Sequence, residues 1–90
     1  MTAASIPRLA RGCRLREDPA QGWVLLIPEG VLRLNGPGPH IIRRCDGSRT
    51  FADIVRELGE EFAAPGDERV ATETEAFLDR LVERRIVVVE

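Results

Sequence analysis

Two different hydrophobic periods divide this 90-residue chain near its middle. Before Asn35 the apolar residues alternate or form short runs, which is typical of strands. After Pro39 they recur every three or four positions, which is typical of helices. The connector between them, Asn-Gly-Pro-Gly-Pro, suits neither period, because proline lacks an amide donor and glycine accepts turn conformations. The sequence therefore predicts a sheet followed by a helical layer.

Three short strands joined by tight turns are predicted in the first half, over residues 13–18, 23–27 and 31–34. Pro19 ends the first strand, and Pro28-Glu29-Gly30 separates the second from the third. Turns this short favour an antiparallel meander.

Three helices are predicted in the second half, over residues 40–45, 51–62 and 67–85. Thr50 precedes the second helix, and Asp53 follows it at the spacing of a capping box. The β-branched run Ile86–Val89 is expected to pack back on the domain. Three antiparallel strands followed by three helices, with a helix–turn–helix over residues 41–62, is an α+β, winged-helix-like fold.

Length and composition predict one small domain over residues 1–90. Residues 1–6 are expected to form a disordered arm. No apolar run approaches the about 18 residues of a membrane span, and the start lacks a basic segment followed by an apolar one. We therefore expect a cytoplasmic protein without a membrane partner.

Catalytic and metal-binding residue sets are not suggested by the sequence. Cys13 and Cys45 lack C-x-x-C spacing, and His40 is the only histidine. A structural zinc site needs four ligands, and catalysis needs a nucleophile, base or metal in a concave site. The sequence predicts a protein that is not an enzyme and binds no cofactor.

Charge bears on a rival interpretation, a winged-helix nucleic-acid-binding protein. The net charge is −2. The recognition helix would be Phe51–Phe62, which carries four acidic residues against Arg56 alone. Such a helix repels phosphates, so no nucleic-acid partner is predicted.

The third helix has an apolar stripe wider than one core contact requires. At about 100° per residue, Val70, Thr74, Phe77 and Leu81 form one flank, and the adjoining flank contains Ala71, Leu78 and Val82. Together they span roughly 140°, whereas about 100° suffices to pack a helix. The surplus could contact a partner, although burial in the core is the commoner explanation.

Several segments, in order, resemble the PqqD family, pyrroloquinoline quinone biosynthesis protein D. They are Pro7–Gly12 with Arg14–Arg16, Val24–Asn35, Asp46-Gly47-x-Arg49-Thr50, and Phe77-Leu78-x-x-Leu81. The likeness covers about Pro7 to Val89. It departs from the family pattern at Gly36–Pro39, where the first helix is expected to start late, and at Thr74, where an aliphatic residue is usual.

The resemblance implies a peptide chaperone and precursor-peptide recognition element. It would bind the leader of the precursor PqqA and deliver it to the radical SAM enzyme PqqE. The precursor would add as a further strand beside the third strand and rest against the third helix. Carried over by position, the peptide-binding residues would be Val31, Leu32, Arg33, Leu34, Ala71, Thr74, Leu78, Val82 and Arg85.

The exposed strand edge has other interpretations. Its unpaired backbone groups can hydrogen-bond an incoming chain, but ordinary edge strands have the same groups. The same edge can also pair with a second copy or exchange its hairpin, which gives a homodimer, domain-swapped in the second case. The sequence leaves these alternatives open.

Overall fold

Five strands and three helices make up the protein. The computed structural model describes residues 1–90. In chain order the elements are β1 Pro7–Leu9, β2 Arg14–Asp18, β3 Gly22–Ile27, β4 Gly30–Arg33, α1 Gly38–Arg43, α2 Phe51–Glu61, α3 Glu68–Glu83 and β5 Val87–Val89. None of the three helices combines the length and hydropathy needed to cross a bilayer.

The predicted three-stranded antiparallel sheet is confirmed, with β3 between β2 and β4. Leu25 in β3 lies opposite Leu15 in β2 and Leu32 in β4. Asp18 closes the first turn by accepting hydrogen bonds from two backbone amides of that turn, at 2.8 and 3.0 Å. The two-residue turn Pro28-Glu29 joins β3 to β4. Turn residues therefore set the register, and the register places one face of the sheet against the helices.

The hydrophobic core lies between that face and the helical layer. It contains Leu25 and Ile27 from β3, Ile41, Ile42 and Cys45 from α1 and its end, Ile54 and Leu58 from α2, Leu78 and Leu81 from α3, and Ile86 and Val87 from the tail. The α+β, winged-helix-like prediction of three antiparallel strands followed by three helices is confirmed.

A second, two-stranded sheet was not predicted. Strand β1 pairs antiparallel with β5, so that Pro7 lies opposite Val89. Each strand has only three residues, which is too short for a periodicity signal. The expectation that Ile86–Val89 packs back on the domain is confirmed, and its partner is the start of the chain.

Residues 1–6 are held against α2 rather than forming the free arm expected from the sequence. Phe51 donates its backbone N–H to the Ser5 carbonyl at 2.7 Å, and Ala52 donates to Ala3 at 3.1 Å. The first amides of a helix have no partner within the helix, so this segment supplies acceptors to the start of α2. The Met1 ammonium also lies 3.4 Å from Glu75 Oε2.

Two helix boundaries differ from the sequence prediction. Helix α1 begins at Gly38 rather than late, because Pro39 occupies its first turn, where a missing amide costs nothing. Helix α3 ends at Glu83, and Arg85 takes a left-handed conformation with φ of 61°. Ile86 N–H then reaches back to the Leu81 carbonyl at 2.9 Å, a common way to end a helix.

The predicted capping box at α2 is present and gives a stability test. Thr50 Oγ1 accepts from Asp53 N–H, and Asp53 Oδ2 accepts from Thr50 N–H, both at 3.1 Å. We expect Thr50→Ala to lower the free energy of unfolding by about 1 kcal/mol in urea titration. Thr72→Ala, at an exposed position inside α3, is the control and should cause no loss. Equal stability of Thr50→Ala and the native chain would contradict the capping role.

Candidate peptide-binding site

Strand β4 presents an unpaired backbone edge. It is the last strand of its sheet and pairs only with β3. Leu34 donates its N–H to the Trp23 carbonyl at 3.0 Å, which directs the backbone groups of Leu34 toward β3. Because these groups alternate in direction along a strand, those of Leu32 also face β3, and those of Val31 and Arg33 face outward.

The C-terminal tail does not cover this edge. Strand β5 could in principle have lain beside β4, but it pairs with β1 at another part of the molecule. Two N–H and two C=O groups, from Val31 and Arg33, therefore lack a partner strand. Val31 is 49% exposed and is one of two large hydrophobic residues that the fold leaves exposed.

Helix α3 approaches the end of β4 at Gly38. A Cβ atom placed on Gly38 would lie 3.5 Å from Leu34 Cβ and 3.5 Å from Phe77 Cζ. The end of β4, the start of α1 and the middle of α3 thus converge at one point. The chain that leaves β4 after Arg33 therefore passes beside Phe77.

A cavity of about 420 Å³ opens at this convergence, and we call it the β4–α3 groove. Its lining includes Asn35 from the connector, Gly38 at the start of α1, Phe62 at the end of α2, and Glu73, Thr74, Phe77 and Arg80 from α3. Phe62 is 47% exposed and Phe77 is half-buried, so the groove offers aromatic surface with a charged rim. Apolar walls with a few polar groups are typical of binding sites.

Comparison with known proteins shows the family of this chain. A sequence model described as "Coenzyme PQQ synthesis protein D (PqqD)" matches residues 22–87. The chain belongs to the PqqD family. A relative from Gluconobacter oxydans named "PqqA binding protein" is 37% identical over 87% of this chain and 81% of its own length. Another of that name, from Pseudomonas paraeruginosa, is 45% identical over 76% of this chain and 77% of its own length.

A solved structure extends the likeness to the fold. It is the solution NMR structure of the PqqD portion of Methylobacterium extorquens PqqCD, described as a functional, stand-alone RiPP recognition element. It is 29% identical to this PqqD-family chain, with a TM-score of 0.76, covering 91% of this chain and 87% of that one.

The predicted β4 residues divide between the two sides of the strand in this PqqD-family chain. Leu32 and Leu34 are half-buried and pack against the core. Val31 and Arg33 are exposed and contribute the outward backbone groups. The edge itself is thus where the sequence predicted it, but only alternate residues present free amides.

The α3 residues predicted to contact a peptide differ in their burial. Leu78 is 0% exposed and Thr74 is 2% exposed, so Leu78 belongs to the core and Thr74 forms only the floor of the groove. Neither side chain can reach far into a bound peptide while the core stays closed. Arg85 lies beyond the end of α3, in the left-handed turn that leads to β5.

Ala71 and Val82 lie on the wrong flank of α3 for this groove. They are about 120° and 140° around the helix axis from Phe77. Ala71 instead lines a separate hollow of about 460 Å³, beside Ala3 and Phe51. The flank that faces the groove carries Glu73, Phe77 and Arg80, none of which the sequence predicted as binding residues.

Periodicity places Phe77 on one flank of the apolar stripe of α3, and no sequence signal distinguishes the two flanks. Helical periodicity shows which faces are apolar but not which neighbour covers each face. Leu34 and Phe77 are far apart in sequence, and both lie beside Gly38 at the start of α1.

A network of ion pairs holds α1 and α2 together beside the groove. Arg44 Nε lies 3.0 Å from Glu57 Oε1, and Arg44 Nη2 lies 2.7 Å from Glu61 Oε1. Arg49 adds a second contact to Glu57 at 3.0 Å. His40 packs edge-on against Phe62, with ring centroids 5.1 Å apart, so the network borders an aromatic wall of the groove.

These contacts shift the titration of the carboxylates. The hydrogen bond from Arg44 lowers the pKa of Glu61. Burial works to raise the pKa of Glu57, but the hydrogen bonds from Arg44 and Arg49 outweigh it and the pKa is lowered. Burial raises the pKa of the Cys45 thiol to about 12, which leaves it protonated and poorly nucleophilic.

The lowered carboxylate pKa values predict acid-sensitive stability. A group whose pKa is lower in the folded state stabilises the fold above its unfolded pKa, and this contribution disappears as pH falls through the folded pKa. We expect the urea midpoint to fall between about pH 5 and pH 3. Glu57→Gln should lower the midpoint at pH 7 and weaken that pH dependence. Glu60→Gln, a carboxylate on the same helix without an arginine contact, is the control. An unchanged pH profile in Glu57→Gln would contradict the assignment.

Proposed function

We propose that this PqqD-family protein binds the leader of a PqqA precursor as an added strand on β4 and presents it to the radical SAM enzyme PqqE. The observation that carries the proposal is the unpaired edge of β4, together with the β4–α3 groove, which opens beside the connector that follows β4. The names of the relatives support PqqA as the guest. Presentation to PqqE rests on the family resemblance.

Backbone pairing alone would not give useful affinity. The four outward groups of Val31 and Arg33 contribute about 0.5–1.5 kcal/mol each, or roughly 2–6 kcal/mol together. Micromolar binding requires about 8 kcal/mol, and ordering a flexible peptide offsets part of the gain. Apolar contact in the groove must supply the difference. At about 25 cal/mol per Å², roughly 200 Å² of buried apolar surface adds about 5 kcal/mol.

The groove is positioned to supply that contact. Side chains of an added strand alternate between the two faces of the sheet. Those on the core side would continue the row of Leu32 and Leu34 and meet Phe77. Glu73 and Arg80 at the rim can hydrogen-bond polar groups of the guest. The guest therefore pairs through its backbone and is selected through alternate side chains.

In this proposal the protein is a binding module, and the chemistry belongs to the partner enzyme. The relatives are named for binding rather than for a reaction. We place its action in the cytoplasm, where the free thiols Cys13 and Cys45 would stay reduced.

A second copy of the chain is a competing guest for the same edge. Two β4 strands can pair about a twofold axis, and exchange of the β3–β4 hairpin gives a swapped dimer. Sedimentation equilibrium with and without peptide shows whether the peptide and a second copy compete for the β4 edge. If the edge is shared, peptide should dissociate the dimer.

Proline substitutions on the two sheet edges test strand addition. Val31→Pro removes an outward amide and places a ring against the guest, so binding of PqqA should weaken at least tenfold in isothermal titration calorimetry. PqqA modification by PqqE that depends on this protein should fall in parallel.

Glu17→Pro is the matched control. By the same alternation, Glu17 directs its amide outward on the opposite edge, at β2. It should bind PqqA normally, with circular dichroism confirming that both variants fold. Equal affinity of the two variants would reject the β4 edge as the docking site.

Two truncations on opposite flanks of α3 test the groove. Phe77→Ala should lose about 1–2 kcal/mol of binding free energy, a five- to thirtyfold change, because the groove loses its aromatic contact. Val82→Ala truncates a half-buried residue on the other flank and should bind normally. The calorimetry is done well below each variant's melting temperature, so that both variants are folded when their affinities are compared. A larger loss in Val82→Ala would place the guest on the flank predicted from the sequence.

A further inference from the structure

The face of the sheet that points away from the helices is basic and apolar. Leu25 faces the core, so Val24 and Leu26 face the opposite side. In cross-strand register, Val24 lies between Arg16 and Arg33, and Leu26 lies between Arg14 and Val31. We call this the outer face. It consists of two parallel rows that both end at the β4 edge.

The first row places a cation at the edge without an anion to pair with it. Val24 is 0% exposed although it is not part of the core cluster, and the stems of Arg16 and Arg33 can lie along it. Arg16 has an ion pair with Asp18 at 3.2 Å. Arg33 is exposed and takes part in none of the protein's ion pairs.

The second row places an apolar side chain at the edge. Val31 packs beside half-buried Leu26 and leaves 49% of its surface exposed. A further strand on β4 would add one residue to each row. Its residue opposite Arg33 would face a cation, and its residue opposite Val31 would face an aliphatic side chain.

From this arrangement we propose that the outer face selects the guest. The bound segment carries an acidic residue opposite Arg33 and an aliphatic residue opposite Val31, two positions apart in the guest. The inference rests on the proposed strand addition and adds the chemistry of the segment that is recognised. It assigns Arg33 a role in specificity that is separate from its backbone hydrogen bonds.

Hydrogen-bond geometry fixes Val31 and Arg33 most firmly opposite single residues of the guest. Val31 and Arg33 direct both backbone groups outward, so in an antiparallel complex each exchanges two hydrogen bonds with the residue directly opposite. Side chains of directly opposite residues lie on the same face and interact. Antiparallel pairing, the commoner arrangement, places the acidic residue N-terminal to the aliphatic one.

A charge swap tests the inference. The probes are synthetic peptides of the PqqA precursor from the same genome, in which each acidic residue in turn is replaced by Arg. Arg33→Glu should weaken binding of the unaltered peptide about five- to tenfold, because an attraction becomes a repulsion. One altered peptide should bind native protein more weakly than the unaltered peptide does. The same altered peptide should bind Arg33→Glu with a dissociation constant within about twofold of that of native protein with unaltered peptide. The difference in affinity for the unaltered peptide between native protein and Arg33→Glu should shrink at 0.5 M NaCl, because salt screens the charges.

Arg16→Glu is the matched control. Arg16 is in the same row, but two strand spacings, roughly 10 Å, from Arg33. It should change the affinity less than twofold. Arg33→Gln removes the charge without reversing it and should lose about two- to fivefold, which provides a second measurement if Arg33→Glu folds poorly.

The aliphatic position is tested with the same peptides. The reference position is the acidic residue whose change to Arg restores binding to Arg33→Glu. Changing the peptide residue two positions after it to Asp should weaken binding at least fivefold. The residue one position after it points to the groove side instead, so changing it does not test the outer face. If no altered peptide rescues Arg33→Glu, or if Arg33→Glu binds like native protein, the inference is overturned. If Val31→Pro still weakens binding at least tenfold in that case, strand addition stands. Normal binding by both variants would reject strand addition itself.

Discussion

Pairing between the two ends of the chain determines which strand edge stays available. Strand β1 takes up β5, and residues 1–6 cap the first amides of α2. A free β-branched tail such as Val87–Val89 would be a good partner for any exposed strand. Because its backbone groups are already bonded to β1, it cannot compete with a guest for β4. The small second sheet thereby keeps the binding edge open.

An open edge is also a hazard, and this strand is built to limit it. Strand β4 has four residues and only two of them, Val31 and Arg33, present outward amides. Short edge strands and charged side chains both discourage nonspecific pairing. Such an edge would bind weakly by itself, so a guest bound as proposed would also have to fill the β4–α3 groove. Weak backbone pairing thus makes the affinity depend on side chains, which is a condition for specificity.

The fold could be predicted from local sequence patterns, whereas the placement of the site depends on contacts between distant residues. Strands β2, β3 and β4 and the cap at Thr50 arise from local patterns, and local patterns can be read from neighbouring residues. The β4 edge follows from the order of the strands. The pairing of Pro7 with Val89 joins residues at opposite ends of the chain, and no local pattern indicates it.

The helical half of the site was not predictable in the same way. Periodicity identified a wide apolar stripe on α3, and the structure shows that the core uses its centre, at Thr74, Leu78 and Leu81. Which flank borders β4 depends on where the connector after β4 returns to the helical layer. That return point is Gly38, and it selects Phe77 rather than Ala71.

Two surfaces of different chemistry meet at the β4 edge, and a guest strand bound as proposed would contact both. On the core side the row of Leu32 and Leu34 leads to aromatic Phe77, whereas on the outer side Arg33 and Val31 end the two rows of the sheet. Because successive side chains of a strand point to opposite faces, a guest shifted by one residue would exchange the two sets. An acidic side chain would then face the apolar groove, where it would lose water without gaining Arg33. The two faces together therefore select one register, which backbone hydrogen bonds alone cannot do.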